Sequence, residues 1–177
     1  MTLSDIPFRT MDGETQTLGH DYDGKLVMIV NVASRCGLAP QYETLERLQR
    51  EYGDRGFQVL GFPSNQFLQE LGSNEAIKEY CSLTYGISFP VLDRVRVNGR
   101  KEHPLYTELK KTPDASGKAG RVIWNFEKFL VTPAGEVFRF RPQTVPDDPS
   151  VIAAIEASLP AAPAAGADLE ASVENAS

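Results

Sequence analysis

Cysteine and histidine are nearly missing from this chain, with two of each in 177 residues. Two cysteines exclude a disulfide-stapled scaffold. With no CxxC or HxxxH spacing there is no metal cluster to assemble, and neither a metal nor a cofactor is expected. Long apolar runs are missing too. The first 25 residues hold none that would serve as a signal peptide, and no stretch approaches a membrane span. The expected setting is therefore cytoplasmic and reducing, where both cysteines rest as thiols. Positive charge is in deficit: the net charge is −6 and the pI about 5.0. The deficit is uneven, at −5 over residues 1–90, +5 over 91–141 and −6 over 142–177. Aromatics do not interleave with the basic middle, so it is not a nucleic-acid footprint. It reads as a solvated basic face, or as a rim that steers an anionic partner. No internal repeat is present.

What remains is ordinary globular material, 41% hydrophobic and 24% charged, enough for one domain with a sizeable core. That domain is expected over residues 1–159. Pro160–Ser177 is small, acidic and poor in apolar bulk, the composition of a disordered tail. Lys25–Ala33 is almost all apolar and β-branched, as in a strand buried on both faces. Tyr42, Leu45, Leu48 and Tyr52 follow at helical spacing up to Gly53, and Phe57–Phe62 is a second buried strand. Strand, helix, strand makes a right-handed βαβ unit. Ser73 caps a helix over Asn74–Tyr85 that ends at Gly86, with an inward stripe of Ile77, Tyr80, Cys81 and Thr84. Asn98-Gly99 signals a turn and Pro104 a short helix. Val122–Val131 and Glu136–Phe140 read as a hairpin, and Asp148–Leu159 as a final amphipathic helix.

Cys36 occupies the most informative position, in the loop between the first long strand and the helix that begins near Pro40. Ligand and catalytic groups of open α/β sheets collect at that edge. A helix N-terminus and the adjacent Arg35 both favour a thiolate. Position alone also allows an inert core cysteine, the commoner state of a lone Cys. Likewise Cys81 is placed as a packed core thiol, Trp124 as a core aromatic and Gln69 as a surface loop residue.

Three stretches change the weighting: Asn31-Val-Ala-Ser-Arg-Cys-Gly-Leu-Ala-Pro-Gln-Tyr42, Gly61-Phe-Pro-Ser-Asn-Gln-Phe67 and Trp124-Asn-Phe-Glu-Lys-Phe129. Together, in this order and spacing, they resemble the three signatures of the glutathione peroxidase family, and the resemblance runs from about residue 5 to 159. It implies a thioredoxin-like α/β fold, a central mixed sheet with helices on both faces. It also implies reduction of hydrogen peroxide and organic or lipid hydroperoxides, with cysteine where some members use selenocysteine. Cys36 matches the peroxidatic position, and Gln69, Trp124 and Asn125 match the residues that complete the family's tetrad. Peroxide cleavage needs a thiolate and neutral donors for the leaving oxygen, which an indole N–H and two amides supply.

Cys81, in Lys78-Glu-Tyr-Cys-Ser82, matches the resolving cysteine of members that use thioredoxin rather than glutathione. The implied cycle runs through a Cys36 sulfenic acid and a Cys36–Cys81 disulfide that thioredoxin reduces. The alternatives are a one-cysteine, glutathione-dependent enzyme, a peroxide sensor or redox relay, and a non-catalytic binding module. Ser64 stands where some relatives carry a third cysteine. The family loop usually has two residues between Asn-Gln-Phe and Gln-Glu, whereas only Leu68 stands there in this chain, which leaves Gln66 as a second candidate for Gln69's role. Ala39 replaces a frequent Thr that would cap the helix, a loss of about 0.5–2 kcal/mol. Tetrameric members carry an insertion where this chain has only Thr112–Arg121, so a monomer is expected.

Overall fold

In the computed structural model, which describes residues 2–161, a short turn at Leu3–Asp5 leads into a hairpin of β1 (Phe8–Arg9) and β2 (Thr15–Gln16). There follow α1 (Leu18–Asp21), β3 (Leu26–Val32), α2 (Gln41–Tyr52), β4 (Phe57–Pro63), α3 (Asn74–Tyr85), α4 (Pro104–Leu109), β5 (Lys128–Val131), β6 (Val137–Phe140) and α5 (Pro149–Ser158). The expected tail lies outside the described residues, save for Pro160 and Ala161.

All seven residues of β3 are buried, because the strand is central and covered on both faces. The sheet order is β4-β3-β5-β6; β3 and β4 run parallel, and β5 and β6 join antiparallel. Leu26, Met28, Val30 and Val32 face one core with Leu45 and Leu48 of α2, Ile77 of α3, and Val151 and Ile155 of α5. Val27 and Ile29 face the other, with Leu105, Tyr106 and Leu109 of α4 and Ile6 and Phe8 of the N-terminal segment. The expected mixed sheet with helices on both faces is thus present, its β3–α2–β4 crossover carrying Cys36 at the carboxyl edge.

Local signals hold where they are local. The Ser73 hydroxyl accepts from Ala76 N–H, and Gly86 closes α3 in the left-handed region at φ 59°. Gly56, at φ 91° ahead of β4, has a second reason to be glycine: a Cβ there would meet Pro160 Cγ at 2.5 Å. Two expectations need correction. Thr84 is exposed rather than inward, leaving Ile77 and Cys81 as the buried residues of α3. The hairpin is shorter than its apolar pattern, since β5 begins only at Lys128 and residues 124–126 form a turn with Phe126 at φ 64°.

The basic middle is not simply a solvated face. Arg139 and Glu127 form an ion pair whose side chains are both 0% exposed, at 3.0 Å. Arg141 joins Glu127 at 2.6 Å and Asp114 at 2.8 Å, and Lys110 pairs with Glu102. The Arg141 guanidinium and the Ser116 hydroxyl and backbone hold Asp114 well below the usual carboxylate range. Part of the positive excess is therefore internal counter-charge. Breaking a buried pair strands the other ion. Glu127→Leu is expected to lower stability by about 3–5 kcal/mol in urea denaturation. Asp147→Ala, which breaks an exposed pair with Arg47, should change it by less than about 1 kcal/mol.

Candidate active site

After Val32 the chain leaves the sheet and turns through residues 33–40 before α2 begins. Its backbone groups find partners in the loop that follows β4. Ser34 donates to Glu70 Oε1 from N–H at 3.0 Å and from its hydroxyl at 2.6 Å, and Leu71 N–H donates to the same oxygen at 2.8 Å. Arg35 N–H donates to Gln69 O at 2.7 Å, and Glu70 N–H to Asn65 Oδ1 at 3.0 Å. These bonds stitch the Cys36 loop to residues 65–71. Burial raises the Glu70 pKa against the pull of its hydrogen bonds, and its Oε2 is buried without a partner.

Cys36 is 5% exposed. Its carbonyl accepts from Ala39 N–H at 2.9 Å, and its Sγ from Leu38 N–H at 3.4 Å. The sulfur therefore accepts from one amide of the turn that leads into α2. Pro40 occupies the N-cap with no side-chain cap, in keeping with the missing Thr at position 39.

Trp124, Asn125 and Phe126 approach from the other side of β3, where Asn31 binds their turn at three points. Asn31 Nδ2 donates to Trp124 O at 3.1 Å, Glu127 N–H donates to Asn31 Oδ1 at 3.1 Å, and Phe126 N–H donates to Asn31 O at 2.6 Å. The Trp124 ring lies against Phe67, centroids 5.2 Å apart. Asn125 is fully buried and its Nδ2 donates to Gln69 Oε1 at 3.1 Å. That bond uses the Gln69 carbonyl and leaves its Nε2 as a free donor.

The shortened loop thus still brings Gln69 to Asn125. Leu68 absorbs the missing residue by adopting φ 59°, a left-handed conformation that costs a leucine about 1–2 kcal/mol. Gln66 has no spare amide: its Oε1 accepts from Val97 and Asn98 N–H at 2.8 and 3.0 Å, and its Nε2 donates to Asn98 O at 2.8 Å. The four tetrad positions converge on one edge of the sheet, but no donor from Gln69, Trp124 or Asn125 is bonded to the sulfur. Among the described residues that donor is Leu38 N–H.

Cys81 lies inside intact α3, 2% exposed, and both cysteines are free thiols. Burial pushes its pKa up to about 11; the Tyr42 hydroxyl pulls it back and the Glu70 charge adds to the rise. It also borders a cleft of about 340 Å³ between the β1–β2 hairpin, α3 and residues 87–92.

Sequence reasoning passed over Asn31 and Glu70. Asn31 carried a signal, as the one polar residue within a fully buried strand; such a group needs a partner. Glu70 carried none beyond its place after Gln69.

A mixed α/β sheet with helices on both faces and a thiol at the carboxyl edge of its parallel pair has the thioredoxin-like architecture. A solution structure of a putative thioredoxin from Neisseria meningitidis, 17% identical, has the same fold at TM-score 0.58, covering 89% of each chain. A crystal structure of T. cruzi GPX1 aligns at TM-score 0.68 with 30% identity, covering 89% of this chain and 94% of that one. Thioredoxin/glutathione peroxidase BtuE of Escherichia coli K12 is 46% identical over 172 residues, 85% of this chain and 93% of that one. The glutathione peroxidase family model matches residues 3–110. The chain belongs to the glutathione peroxidase family and is a peroxidase.

Asn31→Ala would leave Trp124 O and Glu127 N–H buried and unpaired, a loss on the order of 3 kcal/mol. Thermal denaturation is expected to register it. The emission of Trp124, the one tryptophan in the sequence, should shift in the folded variant.

Proposed function

We propose that this chain reduces hydrogen peroxide and organic hydroperoxides by a two-cysteine cycle with thioredoxin as reductant. One observation carries the reading: the turn that holds Cys36 is bonded to the Gln69 loop, and Gln69 is bonded in turn to Asn125 beside Trp124. The Cys36 thiolate attacks one peroxide oxygen. An S–O bond forms, the O–O bond breaks, and sulfur is oxidised to the sulfenic acid. The other oxygen leaves as water or alcohol after taking a proton. Gln69 Nε2 and the Trp124 indole N–H are the neutral donors for its developing charge, and Asn125 keeps the Gln69 amide turned the right way.

Cys81 thiolate then attacks the sulfenic sulfur, forming the disulfide and releasing hydroxide, which leaves as water. Exchange with the thioredoxin dithiol returns both thiols. A thiol titrating near 11 is ionised at pH 7 to only about one part in ten thousand. Opening α3, which buries only Ile77 and Cys81 fully, exposes Cys81 and returns it toward a free thiol's value of about 8.5. The relative's name covers thioredoxin and glutathione alike, and burial of Cys81 in an intact helix favours a second reading, a one-cysteine glutathione cycle. Monomeric state and a cytoplasmic, reducing location belong to the proposal; no helix among the described residues is long and apolar enough to cross a membrane.

Leu68, 84% exposed, and Ile123, 63% exposed, flank the Phe67–Trp124 pair and give an alkyl tail an apolar surface beside the donors. Replacing both by Ser should lower the kcat/KM ratio of a fatty-acid hydroperoxide to hydrogen peroxide by about 10-fold.

Peptide mapping of reduced protein after one equivalent of peroxide tests the cycle. A Cys36–Cys81 disulfide within seconds is expected. Cys36 capped by added glutathione with Cys81 untouched would refute the thioredoxin assignment. Hydrogen exchange over 74–85 should be faster in the disulfide form, and equal protection in both forms would sink the helix-opening step.

A further inference from the structure

Lys128 opens β5 with no exposed surface. Its Nζ donates to three backbone carbonyls: Phe126 O at 2.5 Å, Pro142 O at 3.2 Å and Arg141 O at 3.3 Å. Among the described residues no carboxylate pairs with it, and Glu127 beside it is bonded to Arg139 and Arg141. Pro142 O also accepts from Gln41 Nε2, in the first turn of α2, at 2.9 Å. One cation therefore joins the turn of Trp124 and Asn125, the segment after β6 and the start of the helix that follows Cys36.

The charge that acts on it is that of Glu127, whose carboxylate is itself taken by Arg139 and Arg141. α2 offers it neutral Gln41, with Tyr42 packed on Phe126, and β3 offers Val30 across the ladder. Burial draws the Lys128 pKa down to about 7, partly countered by Glu127. An ammonium has three N–H groups for three acceptors, whereas the neutral amine has two and would turn a lone pair on a carbonyl. Phe126, which offers one of those carbonyls, sits at φ 64°. A bulky residue keeps that conformation only where its surroundings hold it.

We propose that Lys128 is a positioning residue for peroxide reduction: its ammonium pins the Trp124–Glu127 turn through the Phe126 carbonyl, and its neutral form releases it. The inference rests on the reading of Trp124 as a donor at the peroxide site. Because the chain has one tryptophan, a single indole N–H resonance reports the turn.

In ¹⁵N-labelled Cys36→Ser protein, which removes any titration of Cys36, that resonance is expected to titrate between pH 5.5 and 9 with a midpoint near the lysine's value of about 7. The titration should vanish on adding Lys128→Met. A resonance that does not move, or a titration that survives Lys128→Met and so reports another group such as half-buried His103, overturns the proposal.

With Cys36 restored, stopped-flow oxidation by hydrogen peroxide should slow by about 10- to 100-fold in Lys128→Met. Lys128→Arg should recover part of the rate and lose any fall on the alkaline side. An unchanged rate and pH profile in Lys128→Met overturns the proposal, and if that variant does not fold, the same titration and rate tests on Lys128→Arg decide it. Trp124→Phe separates the two readings: a full rate there sinks the donor role itself, whereas a reduced rate there with no lysine effect sinks only the pin.

Discussion

A strand that ends inside a protein leaves backbone groups with no ladder to meet, and the end of β3 is where this requirement bears hardest. The protein meets it with side chains. Asn31 binds the Trp124–Glu127 turn on one flank, and Glu70 gathers the Ser34 and Leu71 amides on the other. Because buried polar groups of this kind must be paired, the same bonds that complete the core also fix where Cys36, Gln69 and Asn125 lie. Site geometry and folding stability are therefore one network at this edge of the sheet.

The two cysteines experience opposite surroundings. Cys36 stands in a turn where the Leu38 amide donates to its sulfur, while Cys81 is shut in a helix where burial suppresses ionisation. A thiol kept protonated does not compete for peroxide, since the thiolate is the reactive form. In the proposed cycle that division keeps first oxidation on Cys36 and leaves Cys81 intact for the later step. The lightly anchored α3, which carries Cys81, and the strained Leu68 ahead of it both follow Cys36 in the chain, in line with the tendency of working regions to occupy the less stable parts of a fold.

How far the sequence foretold this depends on the range of the interactions. α3 was legible to the residue because Ser73, Gly86 and the apolar spacing act within a few positions. The hairpin is shorter than its pattern suggests because Val122–Glu127 has a strand-like composition, and the bonds that fold it into a turn come from distant residues, Asn31 being 93 positions from Trp124. The basic middle looked like surface for the same reason, as its partners Glu127 and Asp114 become apparent only once β6 pairs with β5. Resemblance named the candidate positions without their bonds: the Gln69–Asn125 contact forms beside a Leu68 whose left-handed backbone angle no pattern announces.

Arg139 has a consequence for how this chain can change over evolutionary time. Its guanidinium takes the carbonyls of Lys110 and Thr112 on one side and of Gly120 and Arg121 on the other, so the segment between them is closed at its neck like a drawstring. Beyond the neck Arg141 also holds Asp114 and the Lys118 carbonyl, which leaves the exposed tip at Ser116 and Gly117 without a bond to the sheet. Added length there meets a closure entropy that grows only with the logarithm of loop size. The tip is thus a place where new surface, including a subunit contact, can be grafted while the catalytic edge stays as it is.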